Sequence, residues 1–199
     1  MNGILLIDKA PDWTSNDVVV KLKGILHQRR IGHSGTLDPM ATGILVVFVG
    51  RATRAVEFAE GHDKRYLASL RLGLVTDTQD TSGRVLEQHP VSVTREELEA
   101  ALKTLRGEQE QVPPMYSAIK HKGRPLYEIA RKGGQVERKA RKIKVYNISL
   151  AGEAGGDYLL YISCSKGTYV RSLCHDLGQA LGCGGCMSGL RRLEAGEFR

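Results

Sequence analysis

Apolar and polar positions alternate along the chain with two periods, and the switches between them outline an order of strands and helices. The run Ile4-Leu5-Leu6-Ile7, ended by Asp8 and Lys9, predicts a short buried strand. Val18, Leu22, Ile25 and Leu26 then recur at helical spacing, with Ser15 or Asn16 as the N-cap. From Ile31 to Gly43 the composition is that of a loop, with three glycines and a proline. Ile44 to Val49 predicts a strand, Ala52 to Ala59 a short helix, and Tyr66 to Leu72 an alternating strand. Asp77 to Gly83 is turn-forming, and Arg84 to Glu87 resumes an extended path.

The second half continues in the same mixed manner. Thr94-Arg95-Glu96-Glu97 is a capping box ahead of Leu98, Leu102 and Leu105, with Gly107 as the C′ stop. Pro125 suits the first turn of a helix running through Ile129. Ile143 to Leu150 and Tyr158 to Ser163 predict an antiparallel pair turned by Gly152 to Gly156. Thr168 to Leu181 predicts a helix ended by Gly182 to Gly185. Strands and helices without strict βαβ order imply an α+β fold with a mixed, largely antiparallel central sheet flanked by helices. No clean domain boundary interrupts it, and the basic stretch from about 105 to 145 reads as an insertion on the main sheet.

Composition changes this picture only in places. At 199 residues, 41% hydrophobic and 26% charged, the chain has room for one sizeable core. It has no run of eighteen apolar residues, so no transmembrane helix is expected. No basic leader precedes the first apolar run, so the expected compartment is the cytoplasm. Lys and Arg number 29 against 22 Asp and Glu, a net charge of +7 that permits a polyanionic partner. Ten of those cations lie between Lys120 and Lys144, opposed only by Glu128 and Glu137. Either a solvated surface or a phosphate-tracking stripe fits such a run. Of the four cysteines, Cys183 and Cys186 form a Cys-Gly-Gly-Cys that invites a zinc or redox reading, but Cys164 and Cys174 are spaced poorly for a zinc ribbon. Their apolar settings favour small core residues, and no metal site is expected.

The candidate chemistry sits in Gly32-His33-Ser34-Gly35-Thr36-Leu37-Asp38-Pro39. Glycines there permit close backbone approach to a ligand, and His33 and Asp38 could be acid–base partners. An Asp before Pro also initiates turns. The absence of Gly-Lys-Ser/Thr excludes a P-loop.

Three further motifs accompany this loop. Lys64-Arg65-Tyr66 opens a strand that leads to Thr76-Asp77-Thr78-Gln79-Asp80. Val112-Pro113-Pro114-Met115-Tyr116-Ser117-Ala118-Ile119-Lys120 precedes Gly123-Arg124-Pro125-Leu126-Tyr127. Cys164-Ser165-Lys166-Gly167-Thr168-Tyr169-Val170-Arg171 runs from a strand into a helix. Together with Leu190-Arg191-Arg192, and over nearly the whole chain, they resemble the TruB family of RNA pseudouridine synthases.

The resemblance implies a pseudouridine synthase fold, cofactor-free isomerisation of a flipped-out uridine, and Asp38 as the catalytic carboxylate. It implies that Arg171 pairs with Asp38, that Tyr66 is a catalytic residue, the aromatic platform and a candidate to handle the C5 proton, and that Tyr169 and Leu190 form pocket walls. By the same resemblance His33 would occupy the vacated stack, Lys9 would support the pocket, and Lys64 would bind substrate. Lys120, Arg141, Lys142 and Lys144 are then expected along the RNA backbone. The implied substrate is uridine 55 in the T stem-loop of tRNA, with a monomeric protein and no membrane. The alternatives are a guide-RNA-type synthase and a non-catalytic tRNA-binding or RNA-folding protein on the same fold. Two departures stand out: Asp12 occupies a position where the family usually has Gly, and Ser34 replaces a common Thr. Residues 1–199 are expected to form the catalytic domain, and the family's C-terminal RNA-binding domain of PUA type is expected to be absent from them.

Overall fold

A computed structural model describes residues 1–199, the side chain of Glu60 excepted. In chain order the elements are β1 (Gly3–Lys9), α1 (Ser15–Ile25), β2 (Ile31–Ser34), β3 (Thr42–Val49), a 3-10 segment (Gly50–Ala55) leading into α2 (Val56–Glu60), β4 (Lys64–Leu72), β5 (Leu74–Thr76) and β6 (Val85–Gln88). Then follow α3 (Arg95–Thr104), β7 (Gly107–Gln111), β8 (Lys120–His121), β9 (Arg124–Pro125), α4 (Leu126–Arg131), β10 (Arg141–Ala154), β11 (Asp157–Cys164), α5 (Val170–Ala180) and β12 (Gly185–Ala195).

Seven strands form one path in the order β1-β3-β12-β4-β11-β10-β7, and β2 adds to β3 as the eighth. All pairings are antiparallel except β12 with β3, where Arg191 faces Thr42 and Arg192 faces Gly43. The fold is therefore the expected α+β class with a mixed, largely antiparallel sheet. Leu98 and Leu102 of α3 and Leu173, Cys174 and Leu177 of α5 pack on the alternating inward residues Ala68, Leu70, Leu160, Ile162, Ile143 and Val145. A second cluster seats Val18 and Val19 of α1 on Leu45, Val47 and Val49. All four cysteines are free and buried, and Cys164 and Cys174 sit as the small core residues expected of them. No helix is long and apolar enough to cross a membrane.

Several local expectations are corrected. β1 is an edge strand covered by α1 on one face only, so Ile4 and Leu6 on the other face are 45% and 46% exposed. Thr14, not Ser15 or Asn16, caps α1 through a reciprocal capping box with Asp17. Ser15 is buried instead, and Ile25 at the helix end is exposed. Ile31 to Ser34 is strand rather than loop, because its backbone pairs with Val46 to Val49. Gly107 does not end α3 as its C′ residue but opens β7 at φ +100°. α5 starts at Val170, two residues later than predicted, and Pro125 stands just before α4 rather than inside it. The basic stretch begins and ends in the main sheet, where Gln111 pairs with Arg141, so only residues 112–140 leave it. Neither β7 nor β12 was expected.

One contact sets the distance between α5 and β12. A Cβ on Gly178 would lie 2.1 Å from the backbone nitrogen of Gly185, too close for any side chain to yield. Gly178→Ala should therefore lower unfolding free energy by about 2–3 kcal/mol. Urea unfolding monitored by circular dichroism will measure the loss.

Candidate active site

The loop that carries Asp38 is pinned on both sides. Ser15 Oγ accepts a hydrogen bond from the Leu37 amide at 2.9 Å and donates to the Leu37 carbonyl at 3.3 Å. The Ala41 amide donates to the Asp38 carbonyl at 3.0 Å. Beyond it, the Pro39 carbonyl accepts from the Asp12 amide and from Lys9 Nζ, each at 2.9 Å. Lys9 is 1% exposed and also donates to the carbonyls of Ala10 and Trp13, at 2.9 and 2.6 Å. Burial holds its ammonium pKa below the ordinary lysine value, with Asp12, Asp38 and Asp17 opposing.

Arg171 stands in the first turn of α5 and is buried. Its Nε lies 2.9 Å from Asp38 Oδ2, and its Nη2 donates to Oδ1 at 3.2 Å, a two-point grip on one carboxylate. The same guanidinium donates to the carbonyls of Tyr116 (2.8 Å) and Thr78 (3.0 Å), and lies 3.7 Å from Asp80 Oδ2. Asp80 is itself buried and held by Thr78 Oγ1 at 2.8 Å and the Ser82 amide at 3.0 Å. Its turn is stitched to β12: the Thr81 amide donates to the Met187 carbonyl, and the Met187 amide to Gln79, both at 3.0 Å.

The start of α5 depends on a strand that was not expected. At the end of β7, buried Gln111 accepts from the Tyr169 amide at 2.8 Å and donates to its carbonyl at 3.1 Å. Tyr169 is the N-cap position of α5 and makes no side-chain cap of its own, so Gln111 satisfies the N–H that the helix leaves open and shares the carbonyl with the Leu173 amide.

These residues enclose one cavity of about 320 Å³, a volume in the range of small-ligand sites. Asp38, Arg171, Tyr66, Tyr169, Leu190 and Lys64 all line it. Lys64 Nζ also donates to the His62 carbonyl. His33 lies on β2 opposite Val47 and is not among the cavity's lining residues, and Lys9 reaches the loop from behind. Lys120 is exposed on β8. Lys142 and Lys144 lie on β10 opposite Glu110 and Glu108, with Lys144 Nζ 3.5 Å from Glu108. Arg141 is close enough for its charge to lower the Tyr169 pKa against the rise that burial causes.

Arg192 was not assigned a role. It projects from β12 into the cavity wall, is 1% exposed, and donates to the carbonyls of Ile44 (2.7 Å) and Gly35 (3.0 Å). Tyr66 lines the same cavity, and the Arg192 charge favours ionisation of its hydroxyl. Burial nevertheless pushes that hydroxyl up to about 12. Asp80 and Gln111 were missed as well. Asp80 read as part of a turn, and the polar Gly-Glu-Gln-Glu-Gln run gave no apolar alternation by which to recognise β7.

About 35% of the Asp38 side-chain surface faces the cavity, but walls surround it, and burial raises its carboxyl pKa above the ordinary value. Arg171 opposes that rise and Asp80 adds to it. A carboxylate held by a forked cation inside a nucleoside-sized cavity can attack, or stabilise, an electron-poor carbon without a metal.

Comparison with known proteins places the chain in a family. The chain superposes on a chain of a Cbf5-Nop10-Gar1 complex with TM-score 0.78 and 34% identity, over 99% of this chain and 50% of that one. It likewise matches a chain of an H/ACA RNP bound to a substrate RNA containing 2'-deoxyuridine, at TM-score 0.74 and 31% identity, covering 99% of this chain and 48% of that one. Residues 23–170 match the TruB family pseudouridylate synthase N-terminal domain, and residues 171–199 match the tRNA pseudouridylate synthase B C-terminal domain. The chain belongs to the TruB family of pseudouridylate synthases. Among curated relatives, tRNA pseudouridine synthase B of Chromohalobacter salexigens is 50% identical over all of this chain and 65% of its own length. The Yersinia enterocolitica protein of the same name is 48% identical over all of this chain and 60% of its own length. The chain thus spans somewhat less than two thirds of these relatives.

Replacing Arg171 by Gln removes the one cation that favours ionised Asp38 at contact distance, so the Asp38 pKa should rise further. Carboxyl carbon-13 NMR against pH should show its midpoint moving up in Arg171→Gln, and less so in Arg171→Lys, which keeps the charge without the fork.

Proposed function

We propose that this chain isomerises uridine to pseudouridine in tRNA, with Asp38 as the reacting carboxylate and Arg171 holding it in orientation. The observation that carries this reading is the two-point Asp38–Arg171 contact, at 2.9 and 3.2 Å, within a cavity sized for one nucleoside. Family membership and relatives named tRNA pseudouridine synthase B support it.

The reaction breaks the N1–C1′ bond of uridine, turns the base, and joins C5 to C1′. Atoms and charge balance if C5 releases a proton and N1 takes one up. Asp38 supplies an anion beside the carbon that loses electron density, as carboxylates do in glycoside hydrolysis. Tyr66, its hydroxyl pKa near 12, remains a neutral phenol at working pH and serves as a stacking face for the flipped base. Tyr169 and Leu190 close the remaining walls.

The finer substrate reading is uridine 55 in the T stem-loop, approached by a monomeric protein in the cytoplasm. Greater identity to the tRNA enzymes (50%) than to the Cbf5 chain (34%) favours a stand-alone tRNA enzyme over a guide-RNA-dependent one. Lys120, Arg141, Lys142 and Lys144 serve as the RNA backbone track. Glu108 and Glu110 offset Lys144 and Lys142, so Arg141 carries the largest single share.

A T-arm stem-loop with tritium at uridine C5 tests the chemistry, since the label leaves only with the C5 hydrogen. The parent chain should release it, and Asp38→Asn should be slower by about 10⁴-fold or more while still binding RNA. Near-parental release by Asp38→Asn would remove Asp38 from the mechanism, and RNA binding without release by the parent would leave a binding protein. For the track, Arg141→Ala should weaken RNA binding and reduce the slope of log affinity against log salt by about one. An unchanged slope would place the RNA backbone elsewhere.

A further inference from the structure

The cavity wall holds two buried guanidinium groups, and they are compensated in very different ways. Arg171 contacts Asp38 and lies 3.7 Å from Asp80. Arg192 is more deeply buried, at 1% exposure, yet no carboxylate lies within ion-pair distance of it among the described residues. Its hydrogen bonds go to neutral dipoles, the carbonyls of Ile44 and Gly35.

A buried charge without a counter-ion is costly, and dipoles repay only part of that cost. Arginine does not escape by losing its proton under working conditions. Holding two carbonyls does not require a charge, since a neutral donor can do so. The unused charge faces the cavity that contains Asp38 and is fixed there before any ligand arrives. A preorganised cation in a water-poor cavity acts most strongly on negative charge that appears during a reaction.

We infer that Arg192 is a further catalytic residue, whose guanidinium stabilises the negative charge that develops on the pyrimidine when its bond to ribose breaks. The inference rests on the proposed isomerisation. In that reaction the electron pair of the N1–C1′ bond stays with the base, giving a uracil anion with charge spread over N1, O2 and O4. C1′ is left electron-poor beside Asp38. When C5 donates a pair to C1′, the new bond forms, C5 loses its proton, N1 gains one, and the charge on the ring disappears. If Asp38 instead adds first to C6, the charge moves to the O4 enolate. In either route the base is the transient anion, and Arg192 is the buried guanidinium in the wall without a carboxylate. It lines the same cavity as Tyr66 and Asp38, and its Nη2 is fixed by the Gly35 carbonyl in the loop that leads to Asp38.

The test compares single-turnover rates of the parent, Arg192→Gln and Arg192→Lys on two T-arm RNAs, one with uridine and one with 5-fluorouridine at the target. Loss of the N-linked nucleoside is followed by chromatography after digestion. RNA dissociation constants and thermal midpoints are measured alongside. Fluorine withdraws electrons and makes the departing base a better leaving group, so it needs less help from a cation. Arg192→Gln should slow the uridine RNA by about 10²-fold with little change in RNA binding. The same variant should lose about tenfold less on the 5-fluorouridine RNA. Arg192→Lys should retain more activity than Arg192→Gln on uridine.

Equal losses on the two bases, or Lys no better than Gln, would make Arg192 a strut for Gly35 and Ile44 and overturn the inference while leaving the isomerisation standing. Should the Gln variant not fold, the Lys variant read on both bases decides by the same narrowing or its absence. A parent chain that converts neither RNA overturns the proposed function and this inference with it.

Discussion

Asp38 and Arg171 lie 133 residues apart in sequence, and their contact requires most of the fold to be in place. Asp38 comes from a loop held by Ser15 of α1 and by Lys9 at the end of β1. Arg171 comes from the first turn of α5, whose start is fixed by Gln111 at the end of β7. The free hydrogen-bonding capacity of the guanidinium goes to Tyr116 and Thr78, from two further segments. A planar fork can satisfy a carboxylate and two carbonyls together only if all of them are placed to within a few tenths of an ångström. This geometry, rather than the size of the core, ties the outlying turns and the edge strand to the centre of the sheet.

β12 is the other organising element. It lies between β3 and β4, pairing parallel with the first and antiparallel with the second, and carries Leu190 and Arg192 into the cavity wall. Its approach to β3 is so close that a Cβ on Gly43 would lie 2.2 Å from the Arg192 carbonyl. From the same strand, Met187 holds the Asp80 turn by two backbone hydrogen bonds. One strand therefore carries the second guanidinium group and holds the turn of the second carboxylate near Arg171.

Elements that bury a regular apolar face were legible in the sequence: α1, α3, α5, β3, β4, β10 and β11 all show it. β12 was not, because Gly185, Ser188, Gly189, Arg191 and Arg192 break the alternation, and its place is set by pairing with β4 along nearly its whole length. β7 was hidden because a polar edge strand buries little besides Gln111. At the site, Asp38, Tyr66, Tyr169, Leu190, Lys64 and Arg171 could be named through a family resemblance, and all six meet at one cavity. Arg192 had no such signal, since a second Arg in a row looks like surface until the strand's pleat turns one outward to Asp8 and the other inward. His33 shared the glycine-rich loop by sequence but lies in β2, where sheet pairing sets its position.

The chain leaves the sheet at Gln111 and returns at Arg141, and those two residues are paired directly across β7 and β10. An excursion whose ends already touch is closed by the sheet, whatever its length. Doubling a flexible loop of this kind costs only about 0.6 kcal/mol in closure entropy. Beyond Tyr116, whose carbonyl is committed to Arg171, the β8–β9 hairpin tip at Lys122 and Gly123 can therefore lengthen or shorten without disturbing the register that holds Tyr169. The fold thereby separates a hairpin tip free to vary in size from a centre that tolerates almost no displacement, and the dividing line falls inside the excursion, past Tyr116 and the cavity-lining Ser117 and Ala118.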